Sequence, residues 1–143
     1  MSGEEQDTFL RGQPVCRVAT VGPGGHPHAG ALWFVWDGTA LWLNSLTRSQ
    51  RWTDLGRDPR LSVLVDDGGF EFLELRGVEL LGKAEVIGET PRKGAPVPDL
   101  AEPERLFADK YMKGADFRYD GRHGWLRLRP EKIVSWDFRK LRA

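Results

Sequence analysis

Apolar positions in this chain recur mostly at every second residue, in short runs divided by glycine and proline. "VCRVATV" at 15–21 alternates β-branched with other residues, as a half-buried strand does. "GPGGHP" then predicts a turn. "HAGALWFVW" (28–36) and "ALWLNSL" (40–46) flank Asp37-Gly38. An Asp-Gly pair between two apolar runs predicts a hairpin with a type I′ turn, whose two central residues both need positive φ. Three consecutive strands therefore read as a meander. "RLSVLVDD" (60–67) adds a strand and "DDGG" a turn. "FEFLELRGVELLGKAEVIGE" (70–89) then reads as one long strand with Phe70, Phe72 and Leu75 facing inward. Gly77 and Gly82 within it predict bulges or sharp bends. "HGWLRLRP" and "KIVSWDF" are the closing strands.

The period changes in three places. "DTFL" near the N-terminus predicts one or two helical turns, ended by "QP". "SQRWTDLGRD" carries Trp52 and Leu55 at i and i+3, which predicts a short helix starting near Thr47 or Ser49. "PERLFADKYMK" predicts a third helix from the spacing of Leu106, Phe107 and Tyr111, after a proline-rich surface loop, "TPRKGAPVPDLAEPE". The expected fold is mostly β: an antiparallel barrel of six or seven strands with a few short helices.

Length and charge narrow the function. At 143 residues the chain has the size of one domain, residues 1–143. Lys+Arg and Asp+Glu are both 21, so no nucleic-acid or anionic-membrane partner is expected and any basic site must be local. The one cysteine, Cys16, lies in an apolar run, reads as a buried small side chain, and fits a reducing compartment. The N-terminus has no apolar signal core and no run is long enough to span a bilayer, so the expected location is cytoplasmic.

"NSLTRSQRW" (44–52) is the local basic site. It joins a strand end to a helix start, where unpaired N–H groups and the helix dipole attract an anion such as phosphate. Hydroxyls of Thr47 and Ser49 and the guanidinium groups of Arg48 and Arg51 would complete such a site. The simpler reading is a helix N-cap with solvated arginines. Upstream, Trp33, Phe34, Trp36 and Trp42 occupy two adjacent strands. They read either as a wall for a flat heterocyclic ring or as core and subunit interface.

These residues resemble a known family, the flavin and deazaflavin oxidoreductases of the pyridoxamine-phosphate-oxidase-like split-barrel class. The resemblance runs from "VATVGPGGHPHAGALWFVWDG" through "LWLNSLTRSQRWTDLGRDPRLSVLVDDG" to "LRGVELLGKAEVIGE" and returns in "IVSWDFRKL". The order of parts is similar to the branch that binds coenzyme F420, while many relatives bind FMN. The resemblance implies an antiparallel split barrel and a homodimer with the cofactor at the subunit interface. It also implies hydride transfer between the cofactor and a small organic substrate. It puts the phosphate-binding segment on Thr47, Arg48, Ser49, Gln50 and Arg51. The ring-contacting strand falls on Trp33, Phe34 and Val35, with Asn44 and Ser45 near by. Two departures stand out: Arg51 replaces a commoner lysine, and Asp54 brings a negative charge close to the segment.

No residue presents itself as a catalytic acid or base, which suits chemistry done by the cofactor. His26 and His28 lack a carboxylate or thiolate at ligand spacing, so no metal site is expected. His123 reads as structural or as a residue near the cofactor mouth. A second function class fits the same features: a non-catalytic binder or carrier of a flavin, haem or other planar ligand, its substrate space filled by Trp125 or Trp136.

Overall fold

A computed structural model describes residues 1–142. Ser2 caps the first helix, α1 (Gly3–Gly12), in a capping box: its hydroxyl accepts from the Glu5 N–H and the Glu5 carboxylate accepts from the Ser2 N–H. The helix is longer than "DTFL" predicts, because the acidic first turn and this box extend it toward the N-terminus. Strands β1 (Cys16–Val21) and β2 (Pro27–Leu32) follow, joined by the expected glycine turn.

The run "HAGALWFVW" is broken at Trp33. β2 pairs with β1, whereas β3 (Phe34–Trp36) pairs with β4 (Leu41–Leu46). The chain passes from one part of the sheet to another at that residue, which leaves Trp33 49% exposed. The β3–β4 hairpin is present, but its turn is centred one residue later than expected. The Asp37 N–H donates to the Ala40 carbonyl at 3.1 Å, so Gly38 and Thr39 are the central pair. Only Gly38 has positive φ, +102°, which is the pattern of a type II′ turn. Asp37 instead acts as the cap: its carboxylate accepts from Thr39 N, Ala40 N and Trp42 Nε1.

Helix α2 (Gln50–Arg57) starts on Ser49, whose hydroxyl accepts from the Trp52 N–H at 3.1 Å. β5 (Arg60–Asp67) comes next, and β6 runs over twelve residues, Arg76–Ile87. β6 is shorter than predicted. Gly68 has φ +123° and the backbone of Glu74 and Leu75 folds against it, so residues 70–75 form a loop with one 3₁₀ turn. Phe70 and Phe72 point outward, correcting the inward assignment. Continuous pairing from Arg60↔Lys83 to Asp67↔Arg76 shows no bulge at Gly77 or Gly82 on that side. Gly77 is instead where the Trp136 indole crosses the strand; a Cβ there would lie 2.2 Å from it. Helix α3 (Ala101–Tyr111) and strands β7 (His123–Leu128) and β8 (Lys132–Asp137) complete the chain.

The eight strands, one or two more than expected, are all antiparallel, in the order β2-β1-β5-β6-β7-β4-β3, with β8 on the other side of the first half of β6. This curled sheet is a split barrel. Its interior holds Phe9, Leu10, Val18, Leu41, Leu43, Val63, Val78, Leu80 and Leu126. Alternation along β3, β4 and β7 sends Val35, Trp42 and Trp125 to the opposite face, where they pack with Leu100 and Phe107 of the α3 region. No helix among the described residues is long and apolar enough to cross a membrane.

The proline-rich loop is anchored more deeply than its composition suggests. Arg92 within it is 5% exposed. Its Nε donates to Glu104 Oε2 at 2.8 Å, and Glu104 also accepts from Trp125 Nε1 and Tyr119.

Candidate functional site

The site region lies where β4 ends and α2 begins. Ser45 is buried at the end of β4 and accepts from Arg51 Nε at 3.3 Å; its hydroxyl is 3.5 Å from that of Ser49. Arg51 reaches across to β2, its Nη1 only 3.3 Å from where a Cβ on Gly30 would stand. Burial holds the Arg51 guanidinium below the ordinary arginine value. It forms no ion pair with a carboxylate among the described residues. Partly buried cations in proteins are ordinarily paired with a carboxylate, and this one is not.

Lys110 of α3 is a second such cation. Its Nζ donates to the Phe34 carbonyl at 3.1 Å and lies 3.9 Å from the centre of the Phe34 ring. Burial pushes it down to about 8. Cys16, near enough to both to feel their charge, is fully buried, its thiol pushed up to about 12 by burial. Sequence reasoning missed Lys110, because its relation to Phe34 depends on how α3 packs on β3.

The 47–51 segment also borders a second space. Thr47, Arg48 and Ser49 line a cavity of about 520 Å³ together with Pro91 and Arg122, and Thr47 Oγ1 donates to the Arg122 carbonyl at 3.2 Å. Gln50 donates to Asp54 Oδ1 at 2.7 Å. Asp54 is turned toward β1, where it accepts from Thr20 as well as from Arg57. The hydrogen bond from Gln50, followed by those from Thr20 and Arg57, keeps its carboxyl below the usual range against the opposing effect of burial. Its charge is therefore committed away from Arg51.

The aromatic wall is also divided. The side chains of Phe34 and Val35 are buried in the two cores and line neither cavity. Trp33 lines a cavity of about 420 Å³ with Leu32, Asn44, Phe107, Phe117 and His123. Trp125 and Trp136 do not line this cavity. Asn44 and Ser45 point to opposite faces of β4, so the cavity and Arg51 flank the end of that strand from its two sides.

Residues 2–137 match a family model described as Pyridoxamine 5'-phosphate oxidase. No curated protein matches the chain. Among solved structures, a conserved hypothetical protein from Mycobacterium tuberculosis is 31% identical, with a TM-score of 0.81 over 99% of this chain and 88% of that one. An F420 reductase is 25% identical, with a TM-score of 0.65 over 90% and 94% of the two chains. A FAD-binding protein from Mesorhizobium loti, 17% identical with a TM-score of 0.70 over 94% and 92%, is a likeness of fold.

Proposed function

As the chain belongs to the pyridoxamine 5'-phosphate oxidase family, we propose that it is an oxidoreductase that binds coenzyme F420. In this reading it transfers a hydride between that deazaflavin and a small organic substrate. The observation that carries the reading is Arg51, a desolvated guanidinium with no carboxylate partner, held by Ser45 beside the helix start at Ser49. An anionic ligand completes such a group.

The residues fit a phosphate-bearing planar cofactor. Ser45, Ser49 and Arg51, with Thr47 and Arg48 on the adjoining cavity, would hold the phosphate, and Trp33 would face the ring. A bound deazaflavin would supply the hydride; the chain binds, orients and shields. The 25% identity to an F420 reductase supports the deazaflavin over FMN. The 420 Å³ cavity, unfilled by Trp125 or Trp136, supports an enzyme over a carrier. The outer side of β2, with Ala29 and Ala31 exposed and Trp33 exposed just beyond its end, supports a homodimer that shares the site, and the buried free thiol of Cys16 supports a cytoplasmic location.

Titration of the purified protein with coenzyme F420 and with FMN, followed by tryptophan fluorescence, tests this. Micromolar or tighter binding of F420, with FMN at least about tenfold weaker, is the expected result. The reverse ranking makes it an FMN protein, and binding of neither overturns the proposal.

A further inference from the structure

Where the segment after α3 enters β7, Asp120 and His123 form a pair. His123 Nδ1 lies 2.6 Å from Asp120 Oδ2. Asp120 Oδ1 accepts from the backbone N–H groups of Arg122 at 2.9 Å and His123 at 3.1 Å. Burial works against the charge on Asp120, but these donors and the imidazole outweigh it and hold the carboxyl below its ordinary value. An ionised carboxylate only accepts, so Nδ1 carries the hydrogen toward it, and in the neutral ring Nε2 holds the lone pair. Nε2 makes no hydrogen bond among the described residues, and the ring lines the cavity walled by Trp33, Phe107 and Phe117.

A second polar group faces the same space. Leu46 stands opposite His123 in the β4–β7 register, and Asn44, two residues along, shares its face. The Nδ2 of Asn44 is buried without a hydrogen-bond partner. Buried donors are ordinarily satisfied, so an orphan lining an aromatic cavity points to a ligand acceptor. Arg118 lies exposed on the cavity wall, and the Asp120 carboxylate is countered by Arg122, whose Nη2 is 3.9 Å from Oδ2.

We propose that His123, set by Asp120, is the proton-exchanging residue of this cavity, and that with Asn44 it forms a subsite for the oxygen of a planar ring. The ligand class is a phenol, an enol or the conjugated carbonyl compound from which either derives. This rests on the reading of the cavity as a ring-binding space. When the ligand carries O–H, that bond breaks as the Nε2–H bond forms, leaving an oxyanion beside an imidazolium. Asn44 donates to the oxygen, and Asp120 stays ionised throughout.

The probe is p-nitrophenol, whose ionised form has its own visible absorption band. At a pH near its own pKa, the ionised-to-neutral ratio of the bound phenol is expected to exceed that of the free phenol by about tenfold. His123→Gln retains binding but loses this excess, and Asp120→Asn reduces it severalfold. Asn44→Leu weakens binding by about tenfold, whereas His26→Gln, in the exposed turn before β2, changes neither reading. An unchanged ionisation ratio in His123→Gln, or no binding by folded wild-type protein, overturns the subsite. Adding saturating coenzyme F420 separates the sources: displacement assigns the oxygen to the cofactor ring, simultaneous binding to a substrate. Cofactor binding without the phenolate excess sinks only the subsite; the excess without cofactor binding sinks only the proposed function.

Discussion

The indole of Trp33 lies parallel to the ring of Tyr111, centroids 4.3 Å apart and planes 8° from one another. The Tyr111 hydroxyl sits within hydrogen-bonding distance of the carbonyls of Pro14 (2.8 Å) and Phe34 (2.9 Å) and accepts from the Phe34 N–H at 3.2 Å. Trp33 is therefore half exposed yet held in one orientation by a ring that is itself tied to backbone. A wall fixed before its ligand arrives loses little side-chain entropy on binding. Tyr111→Phe keeps the stack and loses the ties, so urea denaturation is expected to show a loss of about 1–2 kcal/mol with ring-ligand affinity nearly unchanged.

Arg51→Ala is expected to weaken coenzyme F420 binding by about 1.5–3 kcal/mol, the range for a hydrogen bond to a charged group. Arg48→Ala, at an exposed position, is expected to lose less than about 1 kcal/mol. Because Arg51 is a desolvated cation without a carboxylate partner, its removal leaves the stability of the ligand-free protein unchanged or raised. Fluorescence titration and thermal melting of the same two variants measure both effects, and an unchanged dissociation constant removes Arg51 from the site.

Glu104 of α3 ties two loops and a strand to its helix, through Arg92, Tyr119 and Trp125. Arg92 keeps Glu89 as a second carboxylate partner, but removing Glu104 leaves the buried Trp125 Nε1 and one edge of the Arg92 guanidinium without acceptors, which together costs about 2–6 kcal/mol. Glu104→Ala is expected to lose that much in chemical denaturation, and a loss below about 1 kcal/mol would show that the loop anchors itself by other means.

Lys110 gives a pH signature. Burial pushes it from 10.5 down to about 8. Below that pH both states carry the ammonium and the penalty of burial is fully present. Between pH 8 and 10.5 the unfolded chain binds the extra proton, so stability rises with pH. Tyr111, pushed up by burial from 10 to about 12, opposes this once unfolded tyrosine ionises. From pH 8 to 10, the stability of wild type relative to Lys110→Met is expected to move in favour of wild type. A flat difference would mean that the Lys110 ammonium remains solvated.

Local signals carried the sequence far where the chain's own neighbours decide the outcome. Ser49 stands as the cap of α2 because capping needs only the next three residues. The hairpin after Trp36 was legible, but its turn shifted because the Asp37 carboxylate binds the loop and leaves positive φ to Gly38 alone. "FEFLEL" alternates like a strand, yet Gly68 turns the chain before it can pair. The break at Trp33 was invisible because every residue around it is apolar and only the choice of partner strand changes. Gln50, next to Arg51 in sequence, turns instead to Asp54, its i+4 neighbour on α2, a pairing that helical spacing offers and that the assignment of Gln50 to the phosphate segment passed over. The convergence of Asn44 with His123 needed the β4–β7 register, which links residues nearly eighty positions apart.

The twelve residues of β6 bear on how the molecule comes apart. The strand bonds to β5 along Arg76–Lys83, to β8 along Arg76–Leu81 and to β7 along Ala84–Ile87, so its first part is laddered on both edges and its second part carries the chain into the other side of the split. Amide protons of Val78 and Leu80 should therefore exchange with solvent only through global unfolding, and those of the 70–75 loop through small local fluctuations. Because pairings such as Arg60↔Lys83 and Ala84↔Leu128 join distant stretches of chain, the strand becomes fully bonded late in folding, and the barrel closes on the millisecond-to-second scale of non-local β topologies.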